Sequence, residues 1–304
     1  MAASGRPILA GPWLGEVGFE ILYWAPFLRW FALEYGVPPE RLTVLSRGGT
    51  WSWYGPVAGR YYDVFDYIAP DVFRAWQAER FDEVGEQKQT RMTKRERELL
   101  TRVLGPTLRD TEVLHPSLMY ELMNPFWWRH LDEAWIHRHT AYRRLERPPR
   151  PAGLDLPDRY VAVKFYYNDC FPATNENVAF VRDVIARLAR EGPVVSLSTG
   201  VTLDDHGACT VTTYGVRDIA GAAPPSENLQ VQSAIVAHAT AFVGTYGGFA
   251  YLAPMYGVPS TSYYGDPAGF AMSHLRMAGS AFEAIGMGDL LHVHPTPEVV
   301  DSRS

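Results

Sequence analysis

The chain has few cysteines, no excess of positive charge and no long apolar run. Cys170 and Cys209 are its only cysteines in 304 residues, so at most one disulfide could form, and neither a disulfide-stapled scaffold nor a C-x-x-C metal site is indicated. The net charge of -6 argues against a broad nucleic-acid surface. Without an apolar run long enough for a signal peptide or a membrane span, we expect a cytoplasmic protein with no integral membrane segment.

The composition is that of a globular protein with a large core. Hydrophobic residues make up 47% of the chain and charged residues 20%, and the length allows one large or two medium domains. Nine tryptophans and 17 tyrosines are a generous supply. Aromatic residues most often fill a core, and the alternative is a platform for a sugar or another flat ligand.

The first half opens as a strand–helix–strand unit. Residues 7–10 predict a strand, a glycine-containing turn follows at 11–18, and apolar residues at helical spacing predict a helix up to Tyr35. Pro26 lies within that pattern and predicts a kink or a late helix start. A second strand at 42–45 favours a parallel sheet.

The middle of the chain is less regular. Residues 63–68 could form a third strand, and helices are predicted at 90–104 and 127–144. The proline- and arginine-rich run at 147–151 breaks all periodicity and predicts a domain boundary, which divides the chain into residues 1–150 and 151–304.

The second half again alternates strands with helices. The predicted strands are 160–164, 193–197, 241–243 and 260–263, and the predicted helices are 178–190, 229–239 and 249–256. We therefore expect an α/β protein with two Rossmann-like domains that face each other across a cleft, where substrates commonly bind.

The turn Gly244-Thr245-Tyr246-Gly247-Gly248 is the strongest functional signal. A strand that passes through small residues into a helix exposes backbone N–H groups to an anion, usually a phosphate. We expect the main chain of Tyr246, Gly247 and Gly248 and the hydroxyl of Thr245 to bind a diphosphate. The alternative is a tight turn whose glycines only supply positive φ angles.

Lys164 ends an otherwise apolar strand and begins a polar, aromatic loop that contains Asn168. Ligands of open α/β sheets bind at that end of the strands, and a lysine there can neutralise a phosphate. We predict that Lys164 acts in catalysis. We also predict that Asn168 helps to bind the donor, the substrate that carries the diphosphate. The alternative for Lys164 is an ordinary surface lysine.

The turn after the first strand carries acidic residues at the start of a helix. A carboxylate there could take a proton from a hydroxyl nucleophile, and we assign that role to Glu16. The alternative is an acid that complements the helix dipole. We place Trp13, Glu20 and His115 on the side of the site that binds the acceptor, the substrate with the hydroxyl nucleophile.

Cofactor and metal sites are poorly supported. The spacing of Gly11, Gly15 and Gly18 does not match the dinucleotide fingerprint, and no acid follows the second strand to hold a ribose. The histidines lack zinc-ligand spacing, and 204–206 (Asp-Asp-His) is a weak metal candidate. We predict no metal and no cofactor.

The second half resembles GT-B glycosyltransferases, particularly the heptosyltransferase-like and fucosyltransferase-like branches. The similarity covers 229–239, 242–248, 250–253 and 257–259, the donor-site segment of those enzymes. Thr245-Tyr246-Gly247 stands where an acid-serine-glycine commonly appears. Leu14-Gly15-Glu16 is similar to the family's glycine–acid turn, whose acid is the catalytic base. The resemblance covers less than half of the chain.

The resemblance implies transfer of a sugar from a nucleotide-diphosphate donor to the hydroxyl of a small-molecule or glycan acceptor, without a metal. Inversion is favoured because a single base suffices for it. Two alternatives stay open: a nucleotide-sugar epimerase of the same architecture, and a non-catalytic protein that binds a nucleotide sugar.

Overall fold

The computed structural model describes residues 1–85, 88–128, 131–200, 207–209 and 215–297. The chain divides into two compact units, the first formed by Met1–Arg143 with Pro225–Gln230, the second by Arg144–Pro224 with Val231–Ser304. The division after Arg143 precedes the boundary expected at 150/151. In addition, Pro225–Gln230 groups with the first unit although the sequence analysis placed it in the second.

The first unit contains a parallel sheet in the order β3-β2-β1-β4. Its strands are β1 (Ile8–Ala10), β2 (Leu42–Ser46), β3 (Arg60–Asp63) and β4 (Glu112–Leu114). All three residues of β1 are fully buried. The strand order reverses between β1 and β4, and such a reversal opens a crevice at the carboxyl ends of the strands.

Helices precede or follow these strands along the chain. They are α1 (Val17–Phe19), α2 (Ala25–Glu34), α3 (Trp51–Tyr54), α4 (Pro70–Val84), α5 (Lys94–Leu104), α6 (Pro116–Trp127) and α7 (Glu133–Arg138). Short 3-10 turns occur at Ala2–Ser4, Pro39–Arg41, Gly55–Val57, Val64–Asp66, Gly105–Asp110 and Pro225–Glu227. A capping box between Thr93 and Glu96 starts α5, four residues later than the predicted 90.

The irregularity predicted at Pro26 is confirmed as a π-helical turn, Glu20–Trp24, between α1 and α2. The Ala25 N–H bonds to the carbonyl of Glu20, five residues back. Proline has no N–H to offer to the carbonyl of Leu22, and that oxygen accepts a hydrogen bond from the Tyr142 hydroxyl at 2.7 Å. The Tyr142 hydroxyl thus pairs the carbonyl to which residue 26 has no N–H to donate.

The segment after α7, residues 140–142, forms a return strap over α2. The Ala141 N–H donates to the Pro26 carbonyl at 3.0 Å, and the Ala141 carbonyl accepts from Arg29 at 2.8 Å. Together with the Tyr142 hydroxyl, these bonds tie the return strap to two backbone carbonyls, those of Leu22 and Pro26, and to the side chain of Arg29.

The second unit contains a six-stranded parallel sheet in the order β12-β11-β10-β5-β7-β9. The strands of this unit are β5 (Val161–Lys164), β6 (Tyr166–Tyr167), β7 (Val194–Ser196), β8 (Gly207–Ala208), β9 (Val216–Asp218), β10 (Ala241–Thr245), β11 (Ser260–Tyr264) and β12 (Leu291–Pro295). β6 and β8 form a separate antiparallel pair. In chain order the six strands run 3-2-1-4-5-6, the order of doubly wound nucleotide-binding sheets.

The helices of the second half of the chain are α8 (Asn175–Glu191), α9 (Asn228–His238), α10 (Gly248–Met255) and α11 (Met272–Ala284), with a 3-10 turn at Gly288–Leu290. The predictions for α8, α9 and α10 are confirmed within a few residues. Among the described residues, no helix combines the length and apolar character needed to cross a bilayer.

Two predictions for the middle of the chain are wrong. The strand expected at 63–68 is Arg60–Asp63, and Val64–Asp66 is a 3-10 turn because the Asp63 carboxylate accepts from the Phe65 N–H at 2.9 Å. The single helix expected at 127–144 is not continuous: α6 ends at Trp127, and α7 covers only Glu133–Arg138.

Candidate functional site

The strand order of the second sheet reverses between β5 and β10, and Lys164 lies at that point. Gly244 of β10 is directly opposite Lys164 of β5. A Cβ on Gly244 would overlap with the Lys164 carbonyl, so only glycine permits this approach of the two strands. The predicted lysine and the predicted glycine turn are therefore neighbours at the carboxyl edge of the sheet.

The Lys164 ammonium faces the first turn of α10. It donates to Oε1 of Gln232 and lies 4.1 Å from the ring centroid of Phe249, the second residue of that helix. The first bond within α10 runs from the Tyr251 N–H to the Gly247 carbonyl at 3.2 Å, so the preceding N–H groups have no partner within the helix. A cation and the positive end of a helix dipole here attract an anion.

Thr245 and Tyr246, which precede Gly247 and Gly248, form hydrogen bonds within the second unit. The buried Thr245 hydroxyl accepts from the Tyr166 N–H at 3.0 Å and donates to the Tyr166 carbonyl at 2.8 Å. The Tyr246 N–H donates to the Tyr263 carbonyl at 2.9 Å. The Thr245 hydroxyl and the Tyr246 N–H therefore hold the turn in place. This differs from the expectation that both would bind a diphosphate.

Gly247 has a φ of 151° and caps α10. A Cβ at this position would overlap with the Tyr166 hydroxyl, which donates to the Tyr246 carbonyl at 3.3 Å. The glycine is therefore required by both backbone conformation and packing. A direct contact of Gly247 or Gly248 with a diphosphate stays a prediction.

Asn168 closes a turn of its own. Its side-chain oxygen accepts from the Phe171 N–H at 2.9 Å, and the backbones of these two residues form an isolated bridge. The Cys170 thiol also donates to this oxygen, at 3.2 Å. Asn168 therefore shapes the loop after β5, and its role toward a donor stays a prediction.

In the first unit, the structure separates the residues predicted after β1. Glu16 is exposed and is the N-terminal boundary residue of α1, without a side-chain cap bond. Trp13 is fully buried and stacks on Trp24 with ring centroids 5.7 Å apart. Trp13 is a core residue, and its assignment to the acceptor side is corrected because no part of it reaches the surface.

Glu20 lies at the start of the π-helical turn and is fully buried. Its Oε1 accepts from the hydroxyls of Ser46 at 2.5 Å, Tyr54 at 2.5 Å and Thr50 at 3.2 Å. Its Oε2 is buried and has no hydrogen-bond partner among the described residues. Glu20 therefore cannot touch an acceptor in this structure, which corrects its predicted position.

The surroundings of Glu20 favour its neutral form. Burial raises the pKa of Glu20 to about 7, although the charge of Arg47 and the hydroxyl hydrogen bonds act in the opposite direction. Burial also raises the pKa of Tyr54 well above its usual value, so this hydroxyl stays a donor. Glu20 is poised to gain or lose a proton near neutral pH.

A second acid, Asp63, extends this hydroxyl network. Its Oδ2 accepts from the Gly49 N–H at 2.7 Å and from the Tyr61 hydroxyl at 3.0 Å, and the Thr50 N–H donates to Tyr61 at 3.0 Å. Burial raises the pKa of Asp63 to about 6. No sequence motif predicts this network; the one local signal is that its polar residues follow β2 and end β3.

His115 belongs to another buried network. Its Nδ1 accepts from the Ser117 N–H at 3.1 Å and caps α6, which leaves the proton on Nε2, 3.1 Å from Oε1 of Glu96. The histidine is 3% exposed. Its placement on the acceptor side is corrected, because both ring nitrogens serve the packing of α5 against α6.

The remaining metal candidates gain no support. Among the described residues, no three His, Cys, Asp or Glu side chains are grouped closely enough to hold an ion. His139 packs on Trp135 with ring centroids 4.4 Å apart, and both cysteines are free thiols. His130 and the candidate at 204–206 lie outside the described residues.

Comparison with known proteins gives structural neighbours only. No protein-family model and no curated protein matches the chain. A glycosyl transferase family 9 protein from Veillonella parvula aligns with a TM-score of 0.49 at 15% identity, covering 99% of this chain and 89% of the other. ADP-heptose LPS heptosyltransferase II from E. coli aligns with a TM-score of 0.44 at 12% identity, covering 95% and 89%.

A third neighbour is the iron-containing dodecameric glycosyltransferase TibC from enterotoxigenic E. coli, with a TM-score of 0.44 at 17% identity. The alignment covers 85% of this chain, which spans only 58% of the length of TibC. Identities and scores this low do not assign a function to this chain.

Proposed function

We propose that this chain is a GT-B-type glycosyltransferase that moves a sugar from a nucleotide diphosphate to an acceptor hydroxyl. One observation carries the proposal: the 3-2-1-4-5-6 order of the second sheet, with Lys164 and the first turn of α10 at its reversal. Nucleotides bind doubly wound sheets at that place. The sequence resemblance between 229 and 259 supports the same assignment.

In the proposed reaction, Lys164 and the N–H groups that open α10 bind the diphosphate and stabilise its charge as it leaves. Preorganised donors aimed at a developing charge are usually the largest single contribution to catalysis. Thr245, Tyr246 and Gly247 shape the turn. This arrangement would not need a metal.

Glu16 is the proposed general base. It is exposed, it lies at the start of α1, and it belongs to the turn that is similar to the glycine–acid turn of the family. It would remove the proton from the acceptor hydroxyl as that oxygen attacks the anomeric carbon. A single base that acts in one displacement favours an inverted product.

The first test is a panel of ADP-, GDP- and UDP-sugars, with ADP-heptose included because one TibC structure contains it. Thermal shift identifies the donor, and mass spectrometry of the products with simple glycan acceptors follows. We expect a transferred sugar. Isomerised donor would indicate an epimerase, and binding without any product would indicate a non-catalytic protein.

Lys164→Met tests the donor site. We expect the dissociation constant of the nucleoside diphosphate to rise about ten- to one-hundredfold, because a charged hydrogen bond contributes about 1.5–3 kcal/mol. Isothermal titration calorimetry measures this. Lys94→Met is the matched control, since Lys94 is exposed on α5. Equal affinity in both variants would contradict the proposed role of Lys164.

Glu16→Gln tests the base. We expect kcat to fall by about 10²–10⁴, the usual contribution of a general base, while donor affinity is unchanged. Glu34→Gln, at the exposed end of α2, is the control. If Glu16→Gln also abolished donor binding, or left kcat unchanged, the assigned role would be wrong.

A further inference from the structure

The turn between β1 and α1 is held by three side chains from other parts of the first unit. Gln89 accepts from the Leu14 N–H at 2.8 Å and donates to the Pro12 carbonyl at 2.7 Å. Gln77 of α4 donates to the Leu14 carbonyl at 2.7 Å. Arg47, which follows β2, donates to the Gly15 carbonyl at 2.7 Å. These bonds hold the backbone immediately before Glu16.

Gln89 is itself held in place by a hydrogen bond to a buried carboxylate. It is fully buried, and its amide also donates to Oε1 of Glu96 at 2.6 Å. Glu96 is buried too and receives Arg80 at 3.1 Å and the Thr93 N–H at 2.6 Å. An amide that bonds the turn on one side and a buried carboxylate on the other has little freedom to rotate.

We propose that Gln89 and Gln77 are positioning residues for Glu16: they fix the backbone of residues 12–15 and thereby the place where the carboxylate meets the acceptor hydroxyl. The proposal rests on the proposed function. The main chain holds the start of this turn, where the Trp13 N–H donates to the Leu45 carbonyl at 2.9 Å, and side chains hold residues 14 and 15, directly before Glu16. The position of the Glu16 carboxylate therefore depends on this backbone.

Placement of this kind affects turnover more than binding, since a displacement of about 1 Å at a reacting group can cost about 10²-fold in rate. Gln89 and Gln77 belong to the first unit, whereas the proposed diphosphate contacts belong to the second. The loss should therefore appear in kcat and not in donor affinity.

The test uses Gln89→Leu and Gln77→Leu in the full chain, with Thr101→Ala on the exposed face of α5 as control. We expect kcat to fall about 10- to 100-fold in Gln89→Leu and less in Gln77→Leu. The thermal shifts with ADP, GDP and UDP should stay unchanged. Backbone amides of residues 11–16 should exchange hydrogen faster in both variants, as measured by mass spectrometry.

The background variant Glu16→Gln separates positioning from general weakening. There, Gln77→Leu should cause no further loss of kcat, because the group that it positions is already inactive. Gln77 is only half-buried, so this variant serves the test if Gln89→Leu fails to fold.

Wild-type kcat in both variants, or an equal further loss in the Glu16→Gln background, overturns the proposal. Unchanged exchange of residues 11–16 in both variants overturns it as well. If the wild-type chain transfers no sugar, the proposed function is wrong and the positioning role falls with it. A transferring wild type with insensitive variants refutes the positioning role alone.

Discussion

Two glutamates of the first unit, Glu20 and Glu96, are equally buried, but their pKa values are shifted in opposite directions. Both are 0% exposed, yet the pKa of Glu20 is raised to about 7, whereas that of Glu96 is lowered to about 2. Burial raises the pKa in both cases. For Glu96 this is outweighed by the hydrogen bond from His115, the charge of Arg80 and the Thr93 N–H.

The difference lies in how the two carboxylate oxygens are paired. Both oxygens of Glu96 accept hydrogen bonds, and Arg80 supplies an opposite charge. At Glu20, three hydroxyls reach one oxygen and the other has no partner among the described residues. Burial alone thus does not determine whether an acid is charged; the number and charge of its partners do.

The largest effect should follow from Glu96→Ala. It leaves Arg80 buried without its partner and releases Gln89 and Thr93, so we expect a loss of about 3–5 kcal/mol in the free energy of unfolding. Urea denaturation at pH 7 measures it. Glu98→Ala, which breaks the more exposed pair with Arg95, should cost about 1 kcal/mol or less. Equal losses would mean that Glu96 is not the better-paired carboxylate.

The next effect is a pH dependence that Glu20→Gln should remove. The pKa of Glu20 rises from 4.5 to about 7 on folding, so between these pH values the folded state binds more protons than the unfolded state. Stability from this group is therefore complete below pH 4.5 and is lost as the pH rises to 7, by up to about 3 kcal/mol.

Glu20→Gln has no such proton, and its free energy of unfolding should fall less than that of the wild type between pH 5 and 8. Denaturation series at several pH values measure the slope. Asp63 contributes a smaller slope of the same sign in both proteins, because its pKa is raised to about 6. Glu96 acts in the opposite direction and loses stability as the pH falls from 4.5 toward 2. Identical slopes in the two proteins would contradict the shifted pKa of Glu20.

The smallest effect concerns a single donor. Ser46→Ala removes one hydrogen bond from Oε1 of Glu20 and should cost about 1–3 kcal/mol at pH 8, where the carboxylate is charged, and less at pH 5. Ser52→Ala is the matched control, since its buried hydroxyl has no partner among the described residues. A larger cost at pH 5 than at pH 8 would contradict this view of Glu20.

The sequence predicted the second unit better than the first. Its strands β5, β7, β10 and β11 are apolar or lie next to glycine and proline turns, and these signals are local. The helices and strands of the first unit have weaker sequence signals. β3 (Arg60–Asp63) is a polar strand at the edge of the sheet, and α6 contains Pro116 and Pro125, which disturb a helical pattern.

The buried polar groups could not be predicted for a related reason. Arg80 is buried in α4 because it pairs with Glu96 of α5, and neither residue reveals this partner in its own neighbourhood. Likewise, nothing in the sequence around Trp13 or His115 distinguishes a core position from a surface one. Lys164 was easier to place, because the end of an apolar strand defines the edge of the sheet.

The return strap at residues 140–142 has a practical consequence for expressing Met1–Arg143, the larger of the two segments that form the first unit. A fragment that stops after α7, at Arg138, would contain every strand of the first sheet and every helix from α1 to α7. It would nevertheless expose the Leu22 carbonyl, four residues before Pro26, and remove one acceptor of Arg29, three residues after it. The useful cut point therefore lies beyond Tyr142, a few residues after the last regular element has ended.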